Sequence, residues 1–453
     1  MKVLLITSFF PPEHNAGTEK RTLGYATELL KLGHNVQVLC AGEWEVGKSN
    51  WNGFVDETFQ NISVRRINLN WKKGPNPNQY LYSNPTVEDN LYEWLSKWKP
   101  DVVHITSCLT LSASVIRAVK NRNIPLVLTL TDFWFICPRL NLLHADGTLC
   151  YGQTTTEECL ECLLQNSSLY NRVSKLVPKK ISTPILISAS QQPELNRLRG
   201  LRGVALDFED RRSFLSEMIN LVDRVTAPAT WLRDVLVNSG YFKEIEVIHS
   251  GHDLSWLGNE IETPSPNRKR FGYIGQIIPS KGVDILIDAF AGLNQKGHEL
   301  YLYGSPAAGS DDYFHELENL TKRVNEVKFL GAFPHENLGE VLSEIDVLVV
   351  PSIWHENNPR VIQEAFASKT PVIASDVGGI VEFVKHDVNG LLFKRGNSEE
   401  LARQMRRILE EPGLLEQLVN GIQPVKTIQQ EVEEFEEIYT ELIQQEIEID
   451  LLN

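Results

Sequence analysis

The sequence predicts an α/β protein built from two doubly wound parallel sheets, each with its own core. Three observations predict this. Short apolar strands alternate with helical patterns over residues 1–250, the same alternation begins afresh over 269–425, and a Pro-rich, acidic stretch at 251–268 separates the two. Several of the strands, such as V-L-V-V at 347–350, are continuously apolar, as strands buried on both faces are.

In the first half, strands are expected at 3–7, 36–39, 62–67, 102–105 and 126–130, with helices at 19–32, 87–98 and 111–120. Leu23, Ala26, Leu29 and Leu30 form the apolar stripe of the first helix, and Gly33 closes it. The rhythm breaks over 132–206, an insertion rich in Cys, Ser, Thr and Gln, and resumes with a helix at 211–222 and a strand at 246–249. In the second half, strands are expected at 271–274, 300–303, 327–330, 347–350 and 372–374, and helices at 283–294, 313–324, 337–345 and 360–368. The tail, 426–453, carries a last helix at 429–447 with Val432, Phe435, Ile438, Tyr439 and Leu442 on one stripe. No Lys or Arg follows Lys426, so this helix is read as packing back on the first domain rather than on anionic lipid.

Composition narrows the function. The chain has 453 residues, 42% of them hydrophobic and 23% charged, which is ordinary for a globular protein. No apolar run approaches the roughly 18 residues of a membrane span. Met1-Lys2 leads into an apolar run too short for a signal peptide and read instead as a strand, so the expected compartment is the cytoplasm. The net charge of −15 is uneven: residues 1–250 hold 27 basic and 25 acidic residues, and residues 251–453 hold 17 and 34. An acidic half argues against nucleic acid as the main partner. Residues 165–205 carry seven basic residues against Glu194 alone. That stretch is either a solvated loop or a contact for an anionic acceptor or the inner membrane surface.

The segment 346–376 holds the richest chemistry. Its buried strand stops at Pro351-Ser352, a polar loop follows, and Pro359 is expected to open a helix striped by Val361, Ile362, Ala365 and Phe366. Ligands in such units sit beyond the strand's carboxyl end, at the helix N-terminus. Glu356 falls in that loop and Glu364 in the helix. A carboxylate there suits a ligand with hydroxyl groups, because it only accepts hydrogen bonds and leaves hydroxyls to donate. P-S-I-W-H-E-N-N-P-R-V-I-Q-E-A-F-A, followed by T-P-V-I-A-S-D-V-G-G-I-V-E-F-V, resembles the donor-site signature of the family-four retaining glycosyltransferases. The resemblance covers the whole chain, strongest over 270–395 and looser over 160–220.

The resemblance implies the GT-B fold, two Rossmann-like domains facing a cleft, with an acceptor-side first domain and a nucleotide-sugar-binding second domain. It implies that Glu364 binds the ribose, that Glu356 lies near the transferred sugar, and that Asn357, Asn358 and Pro359 line the donor site. F-G-Y-I-G-Q-I-I-P-S-K-G, at 271–282, resembles the family's G-R-x-x-x-x-K-G phosphate segment. Gly275 and Lys281 match it, while Gln276 stands where arginine is usual and brings donors without charge. The loop P-P-E-H-N-A-G-T-E at 11–19 resembles P-P-x-x-G-G-x-E, with Gly17 as the second glycine and Ala16 replacing the first. At 128–139 the family's T-x-H-D appears as Thr131-Asp132, so threonine takes the place of a histidine at the reaction centre. His104, one strand earlier, is read as a buried strand-end histidine rather than its substitute.

The substrate implied is a nucleoside diphosphate sugar, and the partner a hydroxyl acceptor, either a glycan, a lipid-linked glycan or a small molecule. No D-x-D occurs, and no catalytic metal is expected. Cys137, Cys150, Cys159 and Cys162 lie within 26 residues and end in C-x2-C. They could hold a structural zinc or stand as reduced thiols; disulfides are disfavoured in a reducing compartment. Two other readings share the scaffold: a non-catalytic relative that binds nucleotide or glycan, and a sugar-nucleotide epimerase or phosphorylase.

Overall fold

The computed structural model describes residues 1–14, 16–42, 49–70, 73–144, 146–165, 184, 185, 188, 204–258, 269–293, 297–307, 309–322, 324 and 326–452. The chain divides into two compact units. Met1–Pro228, Arg233–His249 and Ile428–Asn453 form the first, and Ala229–Leu232 with Ser250–Thr427 form the second. Residues 259–268 of the expected linker, and nearly all of the basic stretch at 165–205, lie outside the described residues.

The first unit is an eight-stranded sheet. Its strands are β1 (Lys2–Ile6), β2 (Asn35–Ala41), β3 (Trp51–Phe59), β4 (Ile62–Leu69), β5 (Val102–Ile105), β6 (Leu126–Thr129), β7 (Arg224–Ala227) and β8 (Glu246–Val247). They lie in the order β3-β4-β2-β1-β5-β6-β7-β8, and every neighbouring pair is parallel except β3–β4. The described helices are α1 (Gly17–Lys31), α2 (Pro85–Lys97), α3 (Ser114–Lys120), α4 (Thr156–Leu164), α5 (Val204–Ile219) and α6 (Thr230–Asn238), the last belonging to this unit from Arg233 onward. Two strands were not expected. β3 is a polar edge strand whose outward Asp56 and Glu57 pair with Arg65 and Arg66 of β4, and β7 is a short strand at R-V-T-A.

The last helix, Ile428–Leu452, belongs to this first unit. Val432, Phe435, Ile438, Tyr439 and Leu442 are buried with Tyr25, Leu29, Val3 and Val38. Its stripe therefore covers the first sheet's core, as the sequence predicts.

The second unit is a six-stranded, wholly parallel sheet. It comprises β9 (Arg270–Ile274), β10 (Glu299–Tyr303), β11 (Val327–Gly331), β12 (Val347–Val350), β13 (Val372–Ser375) and β14 (Gly390–Phe393), in the order β11-β10-β9-β12-β13-β14. Helices α7 (Val283–Ala291), α8 (Asp311–Thr321), α9 (Leu338–Ser343), α10 (Arg360–Ala367), α11 (Ile380–Phe383), α12 (Ser398–Glu410) and α13 (Leu414–Gly421) cover it. The core joins Phe271, Val347, Val349 and Ile373 from the strands with Leu286, Phe290, Leu401 and Met405 from the helices. Residues 250–258, read from sequence partly as the head of the linker, belong to this unit, where His252 and Trp256 are buried.

Strand order fixes where a ligand would sit. The chain runs outward from β9 to β10 and β11, then returns to place β12 on the other side of β9. The loops after β9 and β12 therefore splay apart at a topological switch point, where open α/β sheets bind their ligands. Among the described residues, no helix is long and apolar enough to cross a membrane.

Candidate functional site

The loops after β9 and β12 carry the expected donor residues, and the structure brings Lys281 and Glu356 together. Lys281 ends a short 3-10 turn, Pro279–Lys281, after β9. Its Nζ donates to Glu356 Oε1 at 2.6 Å. Gly282 makes this approach possible. It holds φ 67°, a left-handed conformation, and a Cβ there would stand 2.2 Å from the Pro351 carbonyl oxygen. The K-G pair is thus a lysine delivered by a backbone that packs directly on the end of β12.

Glu356 is buried, and two further donors reach Oε1: the Ser352 hydroxyl at 2.7 Å and the Trp354 indole Nε1 at 2.8 Å. Burial alone would push this carboxyl up. The Lys281 ammonium, with hydrogen bonds from Lys281, Ser352 and Trp354, outweighs burial and holds it below its ordinary value. Lys281 Nζ also lies 5.3 Å from the centroid of the Trp354 ring. The loop is braced from β13, because the Gly379 N–H donates to the Glu356 carbonyl at 2.6 Å. A Cβ on Gly379 would fall 2.1 Å from the Asn357 carbonyl oxygen. The G-G of the sequence therefore lets the turn after β13 press against the Glu356 loop.

Pro359 stands one position earlier than expected. It is the N-cap of α10, at φ −70° and ψ 98°, and Arg360 is the first helical residue. This suits a proline all the same, since the N-cap needs non-helical backbone and no N–H. Glu364, one turn into α10, is buried, and its Oε1 lies 3.7 Å from the Arg360 guanidinium. Asn358 donates to the Ser250 hydroxyl, while its own Oδ1 is buried without a hydrogen-bond partner among the described residues. Asn357 is half-buried beside Glu356. Gly275 closes β9, its N–H donating to the Tyr303 carbonyl at 3.0 Å. Gln276 is exposed, and its carbonyl accepts from the Tyr273 hydroxyl at 2.6 Å.

In the first unit the expected residues gather at the carboxyl ends of β1 and β6. Gly17 is the exposed first residue of α1, whose N-cap Ala16 supplies no side-chain cap. The next residue, Thr18, donates to the Thr131 hydroxyl at 3.3 Å, and Thr131 donates to the Thr106 carbonyl. The Asp132 carboxylate accepts from the Trp134 N–H at 2.7 Å. Burial raises the Asp132 carboxyl against that N–H and the Arg211 guanidinium, which lower it, and Glu19 adds to the rise. His104 is wholly buried in the core, its ring nitrogens bonded to the Tyr439 and Thr129 hydroxyls at 2.6 Å each. Burial lowers it to about 3, so it is neutral and structural.

Sequence reasoning missed three contributors. Ser352 and Trp354 are donors to Glu356, though only their place in the motif singled them out. Arg395 braces the same loop, donating to the Ile353 carbonyl and, through its N–H, to Asp376. No motif pointed to Arg395, which follows a strand that the sequence reading did not anticipate. The four cysteines of the insertion are all free thiols. Among the described residues, no group of three or more His, Cys, Asp or Glu side chains stands ready as a metal shell.

Comparison with known proteins agrees with this fold. A family described as glycosyl transferases group 1 matches residues 259–423, and one described as a glycosyl transferase 4-like domain matches residues 16–154. An uncharacterized glycosyltransferase of Methanocaldococcus jannaschii is 33% identical over 158 residues, 34% of this chain and 39% of that protein. A D-inositol 3-phosphate glycosyltransferase of Salinispora arenicola is 28% identical over 228 residues, 46% of this chain and 48% of that protein. The chain spans 39% to 66% of the length of the first curated relatives it matches. The solved structure of Anabaena HepE in complex with UDP and glucose has the same fold, with a TM-score of 0.62 at 20% identity over 97% of this chain and 99% of that one.

Proposed function

The chain belongs to the family-four glycosyltransferases of GT-B fold, and we propose that it moves a sugar from a nucleoside diphosphate sugar to an acceptor hydroxyl, with retention at the anomeric carbon. The observation that carries this reading is the ion pair between the half-buried Lys281 and the buried Glu356 at the switch point of the second sheet, one loop before the buried Glu364. Three donors meet on one oxygen of Glu356 and fix its orientation, which suits it to hold a hydroxyl of the transferred sugar. Glu364, at the start of α10, takes the ribose diol. Lys281 and the backbone at the start of α7 face the diphosphate. A relative of the same fold was solved with UDP and glucose, which supports a nucleotide sugar as donor.

In the reaction, the bond from C1 to the leaving phosphate oxygen breaks and a bond from C1 to the acceptor oxygen forms on the same face. The acceptor's proton goes to the leaving diphosphate, whose charge the Lys281 ammonium stabilises. Thr131 and Asp132 then serve the acceptor side. Thr131 can donate and accept hydrogen bonds there but cannot carry charge at neutral pH.

Glu364→Ala tests the assignment. Each charge-assisted hydrogen bond to the ribose contributes about 1.5–3 kcal/mol, so nucleoside diphosphate release from a donor panel should fall on the order of 10- to 100-fold, mainly through KM. Unchanged turnover in a variant with a wild-type melting curve would sink the donor-site reading. Gln276 favours a second reading, a nucleotide- or glycan-binding relative without turnover, because it is exposed and uncharged where a phosphate-binding arginine is usual. Tight binding of a nucleoside diphosphate sugar with no acceptor-dependent release would favour that reading.

A further inference from the structure

The insertion brings together four cysteines that the sequence spreads over 26 residues. Cys137 and Cys150 lie in the loops after β6, and Cys159 and Cys162 lie one turn apart on α4. All four line a single pocket. None is in a disulfide. Nor do they lie idle against apolar neighbours. The Gly152 N–H donates to Cys150 Sγ at 3.4 Å, the Thr154 hydroxyl lies 3.0 Å from Cys159 Sγ, and Arg139 Nη1 donates to Cys162 Sγ at 3.2 Å. Donors aimed at sulfur are the outer partners that thiolate ligands need.

Charge points the same way. Three arginines are close to the thiols: Arg139 bonds Cys162, Arg212 acts electrostatically on Cys159, and Arg211 interacts with both Cys137 and Cys159. Arg211 and Arg212 come from α5, so the helix that packs on α4 brings positive charge to the cluster. Hydrogen bonds from Arg211 to the Trp134 and Phe135 carbonyls, and from Arg212 to the Thr154 carbonyl, anchor two of these guanidinium groups beside the cluster. A tetrathiolate bound to a divalent cation carries a net charge of about −2, which these arginines would offset.

Packing supplies a reason for the site. Among the described residues, the hydrophobic cluster around α4 has Leu160 and Phe208 as its buried members. A metal held by side chains of α4 and of the loops after β6 would add a cross-link to that apolar contact.

We propose that Cys137, Cys150, Cys159 and Cys162 form a structural zinc site that fixes the insertion to the first unit. The thiols stand around the pocket as free groups, not yet as a coordination shell. Binding turns their sulfurs inward, and each ligating thiol gives up its proton to solvent. His144 and Glu158 also line the pocket, and their imidazole and carboxylate are the other ligand types at hand.

The test is metal content by plasma mass spectrometry on the full-length protein, purified reducing and without added metal. One zinc per chain is expected. A mercurial titration of that protein should release the zinc as four thiols react, with a chromogenic chelator reading the release. Replacing zinc by cobalt(II) should give thiolate-to-cobalt charge-transfer bands with the d–d pattern of a tetrahedral site. Cys159→Ser and Cys162→Ser should each lose at least ten-fold in zinc retention, while Cys108→Ser, a buried cysteine outside the cluster, keeps one equivalent. If the cysteine variants fail to fold, the mercurial and cobalt measurements on the unaltered chain still decide. Zinc below about one-tenth equivalent that added zinc does not restore would overturn the proposal. So would two disulfides found by mass on the alkylated protein, or a cobalt spectrum without thiolate bands.

Discussion

At the residue scale, the Lys281–Glu356 pair makes a specific pH prediction. Burial would raise the Glu356 carboxyl, and the lysine with three hydrogen bonds lowers it. A carboxyl whose folded value is depressed contributes its stabilisation above its ordinary 4.5 and loses it as the pH falls through the lowered folded value. In the wild-type chain, the acid limb of kcat/KM that reports Glu356 therefore lies below 4.5. Lys281→Ala removes the largest stabilising influence but leaves the burial, so that limb moves to higher pH and turnover at neutral pH falls. The measurement is kcat/KM against pH for both proteins. An acid limb in Lys281→Ala that stays with the wild type would show that the two side chains are not coupled. The sequence displayed both residues, because each sits in a motif with a chemical reason. Their direct contact was not legible. It depends on β9 and β12 being neighbours in the sheet although the paired residues Gly272 and Leu348 are 76 positions apart in the chain, with two strands between them.

At the element scale, the site depends on turns rather than on strands. Gly282 holds φ 67° with a Cβ position 2.2 Å from a backbone oxygen of Pro351. Gly282→Ala must therefore both strain a left-handed residue and push the loop after β9 away from the end of β12. A strained backbone position costs roughly 1–3 kcal/mol. The expected outcome is a lower midpoint in urea, with donor KM raised more than kcat is lowered, since Lys281 is the residue displaced. A variant with wild-type midpoint and KM would mean that the turn gives way at no cost. What sequence revealed at this scale follows the physics of burial. Fully buried strands such as β5, β6, β12 and β13 read as apolar runs and were found within a residue or two. β3 was not found, because an exposed edge strand has no core face to mark it: Asp56 and Glu57 look outward and are stabilised by arginines on β4. β14 follows a turn with no capping signal, and its Leu391 and Phe393 acquire meaning only once β13 lies beside them.

At the scale of the whole molecule, the chain does not end where its second sheet ends. It gives its last helix to the first unit, and a buried polar cluster holds that helix there. Glu431, with no exposed side-chain surface, accepts from Arg21 at 2.5 Å and from the Tyr25 hydroxyl at 2.6 Å, and Tyr439 bonds His104 at 2.6 Å. The apolar stripe was legible from spacing alone. Glu431 was not, because within an acidic run a buried glutamate looks like its solvated neighbours until Arg21 is seen opposite it. A buried ion pair contributes little over well-packed apolar groups, yet breaking one side is expensive. Glu431→Leu leaves the Arg21 cation and the Tyr25 hydroxyl buried without their acceptor, and should cost about 3–5 kcal/mol in urea unfolding of the first unit. Arg21→Met alone should cost a similar amount, and the double variant should recover most of the loss. The three variants together form a double-mutant cycle whose coupling energy isolates the pair. If the single variants lose less than about 1 kcal/mol, the magnitude of an exposed pair, the helix would be held by its apolar stripe alone. A large coupling energy instead makes the first unit's stability depend on residues at the far end of the sequence, so that deleting the tail after Thr427 would unfold a unit most of whose strands are laid down before Pro228.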